Sequence, residues 1–255
     1  MIIRKSRKDI AALREAGRVV ALAHQAMRAA AEVGVTLRDL DEVARDVLRE
    51  HGATSAFLDY HPHFAPTPFP GVICASKNDV VVHGIPTDEP LQSGDLLSID
   101  FGAILDGWAG DAAVTFSIGP ASEDDDRLRQ AAEDALAAGI EAAVPGARLG
   151  DVGAAIGAIG RGHGYGLPQG WGGHGVGRSM HEDPSVPNEG EPGRGLRIRP
   201  GLVIAIEPMF MAGGSDEFQL DDDGWTIRTV NGLRASHAEH TIAITEDGPQ
   251  ILTLP

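Results

Sequence analysis

The chain has 255 residues, 42% of them hydrophobic and 23% charged, a composition typical of a globular protein that excludes wholesale disorder. Its formal net charge of −16 repels nucleic acids and anionic membranes, so neither is expected as a partner. The lone cysteine, Cys74, excludes an internal disulfide, and no stretch is apolar enough for a signal peptide or a membrane span, so we expect a cytoplasmic protein.

Two amphipathic helices are predicted at the start of the chain. Apolar residues recur at helical spacing over residues 8–33, and a second helix is predicted over residues 37–51, after Gly34. From Ala56 onward, glycine and proline separate short apolar runs, which are GVICAS, DVVVHGIP, DLLSIDFGAI and GWAGDAAVTFSI. These runs predict strands of a sheet.

A second helical pair is predicted over residues 124–143 and 149–160, again followed by strands. The order helix, helix, strands thus occurs twice, and GVTLRDLDEV resembles GARLGDVGAA as SGDLLSIDFG resembles RPGLVIAIEPM. We therefore predict an α+β fold in which two duplicated halves, roughly residues 8–120 and 121–250, share one sheet within a single domain over residues 1–255. Chance similarity between the fragments is the alternative.

One predicted hairpin makes a local geometric test possible. The dipeptide DG at 106–107 is a strong two-residue turn signal, and a tight turn there pairs Asp100 with Ala113. Asp100 and Asp111 are then diagonal neighbours on one face of the sheet, about 7–8 Å apart, and the tips of their side chains are closer. Because two such carboxylates repel each other unless a cation or a proton lies between them, we favour a metal site. Two solvated aspartates are the alternative.

Three residues further along the chain are also candidates for binding a metal ion. Glu207 ends the apolar run LVIAI, and a buried charge there costs several kcal/mol unless it is paired or bound to a metal. Glu239 poses the same problem in SHAEHTIAIT. His174 stands among glycines in GGHGVGRSMHEDP and offers the nitrogen ligand that transition metals accept more readily than magnesium does. An ordinary hydrogen-bonded histidine is the alternative for His174.

The other histidines differ in how much their positions imply. His83 follows a β-branched run and precedes a turn, from which a side chain can point into a pocket. The histidines whose positions indicate no role are His24, His51, His61, His63, His163, His237 and His240. The chain contains no GxSxG, HExxH or CxxC motif and no phosphate-binding loop, and Cys74 is expected to be a buried, inert thiol.

The candidate ligands, in chain order, resemble those of the methionine aminopeptidases of the pita-bread fold. The segments that carry the resemblance cover nearly the whole chain, and they are NDVVVHGIP, IDFGAILDGWAGDAA, GHGVGRSMHEDP, IEPM and AEHTI. The resemblance implies a curved antiparallel sheet with pseudo-two-fold halves. Because no zinc-finger extension precedes the core and no long insertion interrupts it, the short bacterial type I form is expected.

The resemblance also implies a cofactor of two divalent metal ions, with Fe, Mn, Co and Zn as candidates. Asp100 is implied as a ligand of one ion, and His174 and Glu207 as ligands of the other. Asp111 and Glu239 are implied to bridge both ions. We expect several metals to fit, because carboxylate-rich sites accept more than one.

Roles in substrate binding and proton transfer follow from the same resemblance. His83 and His181 are implied to contact the substrate and to handle protons as catalytic residues. A pocket for the methionine side chain is assigned to Tyr60, Cys74 and Trp225. This chain departs from the family pattern at Trp171, at Met180 and in the proline-rich segment 61–71, so the detail of that pocket is left open.

The reaction implied is removal of the N-terminal methionine from nascent chains and peptides whose second residue is small. Paired ions would lower the pKa of a shared water to about 7, and Glu207 would accept its proton. Transient contact with the ribosome is a further expectation. An Xaa-Pro peptidase of the same fold, which usually carries an extra N-terminal domain, and a non-catalytic pita-bread binding module are the alternatives.

Overall fold

The computed structural model describes residues 2–63 and 65–255, so Met1 and Phe64, the latter in the proline-rich segment, lie outside the described residues. The helices within the described residues are α1 (Arg7–Ala30), α2 (Leu37–Glu50), α3 (Glu123–Ala142) and α4 (Leu149–Gly162). Among the described residues, none of these helices combines the length and the apolarity that crossing a bilayer requires.

The strands are short except for one central pair. Those of the first half are β1 (Thr54–Ser55), β2 (Cys74–Lys77), β3 (Val80–Val82), β4 (Leu96–Leu105) and β5 (Trp108–Ser117). Those of the second half are β6 (Gly172–Gly175), β7 (Glu182–Pro187), β8 (Val203–Ile206), β9 (Met209–Met211), β10 (Phe218–Leu220), β11 (Ile227–Thr229), β12 (Ala235–His237), β13 (Glu239–Thr245) and β14 (Gly248–Ile251).

Side-chain caps explain where three of the helices begin. The hydroxyl of Ser6 accepts the backbone N–H of Asp9, whose carboxylate in turn accepts the N–H of Ser6. Thr36 and Asp39 form the same reciprocal pair at the start of α2, and Ser122 caps α3. Such caps satisfy backbone donors that have no partner inside the helix. The four predicted helices are confirmed, each starting within one residue of its predicted position.

The main sheet joins both halves of the chain. Its strand order is β1-β4-β5-β13-β8-β6-β7, with β2 also paired to β4 and β14 to β13, and the pairings are antiparallel. Helices α1 and α2 pack with β4 and β5 in one apolar core, and α3 and α4 pack with β8 and β13 in another. The predicted α+β class is confirmed, whereas the division into two repeats stays a prediction.

The β4–β5 hairpin has the predicted register. Asp106 and Gly107 both have positive φ, 50° and 73°, which is the twist that a two-residue hairpin turn requires. Asp100 pairs with Ala113, as predicted. Because successive side chains alternate between the faces of a strand, Phe101 packs into the helical core while Asp100 faces the opposite side.

Candidate metal centre

A cavity of about 390 Å³ lies on the face of the sheet away from the helices. All the residues predicted for the site line this cavity, and they are Tyr60, Cys74, His83, Asp100, Asp111, His174, His181, Glu207, Trp225 and Glu239. Its volume lies within the range of about 300–1,000 Å³ that is usual for small-ligand pockets. The fold therefore brings together side chains that are up to 179 positions apart in the sequence.

The sheet register fixes two of the carboxylates. Glu239 is paired with Ala113 across β13 and β5, which places it beside Asp111. The hydroxyl of Thr241 accepts the backbone N–H of Asp111 at 3.1 Å and donates to its carbonyl oxygen at 2.7 Å. Asp111 and Glu239 are 4% and 2% exposed, so their charges are held in a nearly dry environment.

His174 is oriented by its own strand. Its Nδ1–H donates to the carbonyl oxygen of Gly175 at 2.9 Å, which leaves Nε2 facing the carboxylates as the atom that could bind a metal ion. Nε2 lies 3.6 Å from Oδ2 of Asp111 and 3.8 Å from Oε1 of Glu207. Only glycine fits at position 173, because a Cβ there would collide with the carbonyl oxygen of Ala205 on β8. The glycines thus bring His174 close to the carboxylates.

The cluster carries more negative charge than its own groups neutralise. Burial, together with the charges of Asp111 and Glu207, raises the pKa of Asp100 well above its usual value. Burial and the same neighbours raise the pKa of Glu239. Burial opposes the charge of Glu207, but His237 and His174 outweigh it and lower the pKa of that carboxyl. The repulsion between these carboxylates is relieved by a proton or by a cation bound among them.

Unused oxygen atoms show that this site fits a metal ion. Oδ1 of Asp100, Oδ1 of Asp111 and Oε1 of Glu239 are buried without a hydrogen-bond partner among the described residues. Ligand atoms of Asp111, His174 and Glu239 lie within 4.8 Å of one another. Carboxylate oxygens plus one imidazole nitrogen suit Mn, Fe, Co or Zn. An unpaired buried charge is costly, so the donor set is consistent with bound divalent metal.

His181 and His83 flank the cluster. The ring of His181 lies 4.2 Å from that of His174 and stacks on Tyr60 at 5.3 Å between centroids. His83 packs edge-on against Trp171 at 5.1 Å and has a φ of 59°. Burial lowers the pKa of both histidines to about 4. Both imidazoles are therefore neutral near pH 7, and each keeps one N–H to donate.

Aromatic side chains and a thiol form another side of the cavity. Phe69 packs edge-on against Trp225 at 5.1 Å and against Phe57 at 6.5 Å. The indole N–H of Trp225 donates to the carbonyl oxygen of Thr67 at 2.9 Å, so the proline-rich segment holds this ring in place. Cys74 is buried, and burial with nearby Asp100 raises its thiol pKa, as an inert thiol requires.

Two residues beside Glu207 were not predicted from the sequence to belong to the site. The expectation that His237 has no special position was wrong, because its Nε2 lies 3.5 Å from Oε2 of Glu207. Asn188 donates its side-chain N–H to the carbonyl oxygen of Glu207 at 2.9 Å. Alternation along SHAEHT places His237 on the same face as Glu239, a signal that the sequence contained. For Asn188 no sequence signal exists, because β7 and β8 meet only in the fold.

Sequence and structure comparisons match this chain to one family of known proteins. The model of metallopeptidase family M24 matches residues 11–246. A methionine aminopeptidase 1 from Mycobacterium tuberculosis (strain CDC 1551 / Oshkosh) is 51% identical over 261 residues, which cover 100% of this chain and 96% of that protein. The crystal structure of a methionine aminopeptidase from Thermotoga maritima matches with a TM-score of 0.95 at 37% identity and covers 100% of both chains.

More distant structures share the fold alone. An Xaa-Pro dipeptidase from Bacillus anthracis matches with a TM-score of 0.78 at 20% identity, and this chain covers 61% of its length. The predicted pita-bread fold, with its curled antiparallel sheet and helices, is confirmed by these neighbours.

Proposed function

Because the chain belongs to metallopeptidase family M24 and, within it, to the bacterial type I methionine aminopeptidases, we propose that it removes the N-terminal methionine from polypeptides whose second residue is small. The observation that carries this proposal is one cavity that contains both an anionic metal-ligand cluster and an apolar, aromatic side. The first feature suits hydrolysis of an amide bond, and the second suits an unbranched thioether side chain.

We infer two divalent ions, with the ligand assignment that the family implies. His174 and Glu207 would hold one ion, Asp100 the other, and the carboxylates of Asp111 and Glu239 would bridge them. When bound, the ions would supply Lewis-acid polarisation of the scissile carbonyl and an activated water at neutral pH. Two observations support this assignment. Buried carboxylate oxygens have no hydrogen-bond partner among the described residues, and burial with the neighbouring carboxylates raises the pKa of Asp100 and Glu239.

The chain's own residues would handle the protons. The carboxylate of Glu207 faces the cluster through Oε1 and is the group proposed to accept the proton of the attacking water. His181 and His83 are neutral donors at the edges of the cluster, suited to stabilise the developing oxyanion and the leaving nitrogen. A single donor of this kind is worth about 2.7–4 kcal/mol in related chemistry.

The methionine side chain would lie against Tyr60, Cys74 and Trp225, with Phe57 and Phe69 completing the apolar surface. Burial of a thioether against aromatic rings is favourable by about 0.3–1.5 kcal/mol per contact in addition to the hydrophobic term. Trp171 and Met180, which depart from the family pattern, also line the cavity. We expect them to adjust which peptides bind rather than the chemistry.

A direct comparison of peptides tests the proposed function. The metal-loaded protein is expected to release methionine from Met-Ala-Ser and to leave Ala-Pro-Ala intact. Cleavage of the proline peptide in preference to the methionine peptide would favour an Xaa-Pro peptidase instead. A protein that binds metal but cleaves neither peptide would be a non-catalytic binding module. Mass spectrometry of the products distinguishes these outcomes.

The same proposal extends to nascent chains in the cytoplasm, with transient contact to the ribosome. The net charge of −16 argues against broad binding to ribosomal RNA, so we expect the contact to be weak and brief. Sedimentation with stalled ribosomes at low and at physiological salt measures it. Retention at physiological salt without a nascent chain would contradict this expectation.

A further inference from the structure

His237 lies directly behind a proposed metal ligand and has no assigned role. It is 2% exposed, and it does not line the cavity, whereas Glu207 does. Its Nε2 is 3.5 Å from Oε2 of Glu207 and has no hydrogen-bond partner among the described residues. A buried polar nitrogen without a partner is uncommon and costs free energy, so its approach to Glu207 needs an explanation.

The backbone of His237 is fixed on both sides. Its N–H donates to the hydroxyl of Thr115 at 3.1 Å, and that hydroxyl donates to the carbonyl oxygen of His237 at 2.7 Å. The hydroxyls of Thr115 and Ser98 are 2.7 Å apart, so a hydrogen bond from Ser98 on β4 also holds the side chain of Thr115. Pairing of His237 with Met209 ties it to the strand that follows Glu207. The imidazole therefore has little freedom to move away.

Glu207 itself follows the end of β8 and is not held by a regular strand. Asn188 fixes its backbone carbonyl, but among the described residues only histidines come within salt-bridge distance of its carboxylate. Oε1 faces Nε2 of His174 at 3.8 Å, and Oε2 faces Nε2 of His237 at 3.5 Å. The two oxygens thus have different neighbours, one on the metal side and one on the protein side.

We propose that His237 is a positioning residue whose Nε2–H donates to Oε2 of Glu207 and so directs Oε1 toward the ion that His174 helps to hold. A small rotation of the Glu207 side chain shortens 3.5 Å to an ordinary hydrogen bond of about 2.7–2.9 Å. Groups that orient metal ligands in this way typically change metal affinity or activity by about 10–100-fold when they are removed.

This inference rests on the proposed function, because it assumes that Glu207 is a ligand. Two substitutions of equal length separate the hydrogen bond from packing. His237→Gln keeps an N–H donor near the Nε2 position, and His237→Met removes the donor from a chain of the same length. Both lose the ring, so any effect of ring packing is shared between them.

The experiment measures Mn²⁺ binding to the metal-free full chain by calorimetry and separates kcat from KM for Met-Ala-Ser. His237→Met is expected to weaken Mn²⁺ binding about 10–100-fold at one site and to lower kcat more than it changes KM. His237→Gln is expected to stay within about threefold of the unsubstituted protein, by the same reasoning. Equal affinities in the two variants, whether both normal or both weak, would overturn the proposal.

A measurement on the unsubstituted protein covers the case in which the Met variant does not fold. Nitrogen-15 NMR of the histidine rings, assigned by comparison with His237→Gln, is expected to show His237 protonated at Nε2 and not at Nδ1. Protonation at Nδ1 would overturn the proposal. If the chain binds Mn²⁺ normally but does not release methionine, the proposed function fails, while the tautomer and the Mn²⁺ affinities still decide the role of His237.

Discussion

Two regions of the same cavity are held in place by different means. The floor consists of the proposed ligands Asp100, Asp111, His174, Glu207 and Glu239, and the wall consists of Phe69 and Trp225 with the Thr67 carbonyl that binds Trp225. Sheet register fixes most of the floor, whereas contacts between two loops fix the wall. We therefore expect changes in the floor to abolish chemistry and changes in the wall to adjust binding.

The largest effects are expected from the bridging carboxylates of the floor. Asp111→Asn or Glu239→Gln keeps the side-chain shape but removes an anion proposed to join two dications. Each is expected to lower kcat/KM on the order of 10³-fold or more, with loss of bound metal measured by elemental analysis.

Matched controls for these variants exist in the turns next to the same strands. Asp106→Asn lies at the exposed tip of the β4–β5 hairpin, and Glu246→Gln lies in the exposed turn after β13. Both make the same chemical change without touching the cavity, and both are expected to keep full activity. Near-normal rates in Asp111→Asn would show that the floor is not the centre of the chemistry.

A smaller effect is expected where the floor meets the wall, at His181. Its ring touches both His174 and Tyr60, but it is proposed to act on the substrate and not to hold metal. His181→Ala is expected to lower kcat about 10²-fold while metal content stays unchanged. The control is His163→Ala, an exposed histidine that stacks on Tyr165. Loss of metal from His181→Ala would place this residue in the floor instead.

A change confined to the wall is expected to act on KM. Gly224 precedes Trp225 with a φ of 75°, and a Cβ there would collide with the ring of Pro66 in the proline-rich segment. Gly224→Ala is therefore expected to displace Trp225 and raise KM for Met-Ala-Ser about 3- to 10-fold, with kcat little changed.

Gly232→Ala separates this steric clash from backbone strain. Gly232 has a similar φ of 68°, but nothing lies within 4 Å of its would-be Cβ. Both variants place alanine at positive φ, which costs about 1–2 kcal/mol. Only Gly224→Ala adds a steric clash with the segment that holds Trp225. Equal KM values in the two variants would mean that the wall does not select the substrate.

The smallest effect concerns stability behind the floor. His24 donates from Nε2 to the carbonyl oxygen of Ala112 at 2.8 Å, and its Nδ1 is buried without a hydrogen-bond partner among the described residues. Burial lowers the pKa of His24 from 6.5 to about 4. Between pH 6.5 and pH 4 the unfolded chain binds the additional proton, so the free energy of unfolding falls as the pH falls, by up to about 1.4 kcal/mol per pH unit.

The variant His24→Gln tests whether protonation of His24 causes this loss of stability, because glutamine keeps a donor for the carbonyl oxygen of Ala112 but does not titrate. Urea unfolding between pH 7 and pH 4.5 is expected to show a shallower loss of stability in this variant. His51→Gln, at an exposed helix end, is the control. If the free energy of unfolding depends on pH identically in His24→Gln and in the unsubstituted protein, His24 does not cause the loss of stability at low pH.

The sequence predicts the local parts of this structure best. The register from Asp100 to Asp111 depends on a two-residue turn, and the helix starts depend on caps such as Ser6 and Thr36. The apolar spacing predicts that α1 ends at residue 33, whereas the helix ends at Ala30 because Ala31 is extended. Local signals fix register and caps but do not fix the last residues of a helix.

Contacts between distant segments explain what the sequence analysis missed. His237 ends the short strand β12, and its partner Thr115 lies 122 positions earlier, so no local pattern brings the two together. The hydrogen bond from the indole N–H of Trp225 to the carbonyl oxygen of Thr67 joins loops that are 158 positions apart in the sequence. The residue types of the floor were predictable because a buried carboxylate needs a partner, whereas the side chains that orient them are ordinary polar residues that gain meaning only in the fold.

The central claim is that the floor holds two divalent ions between its carboxylates and His174. Diffraction from crystals soaked in Zn²⁺, recorded on both sides of the zinc absorption edge, tests it most directly. Our account predicts two anomalous peaks in the cavity, each about 2.0–2.2 Å from a floor oxygen or from Nε2 of His174, with Asp111 and Glu239 in contact with both. No peak in the cavity, or peaks bound only by residues outside the floor, would contradict the account.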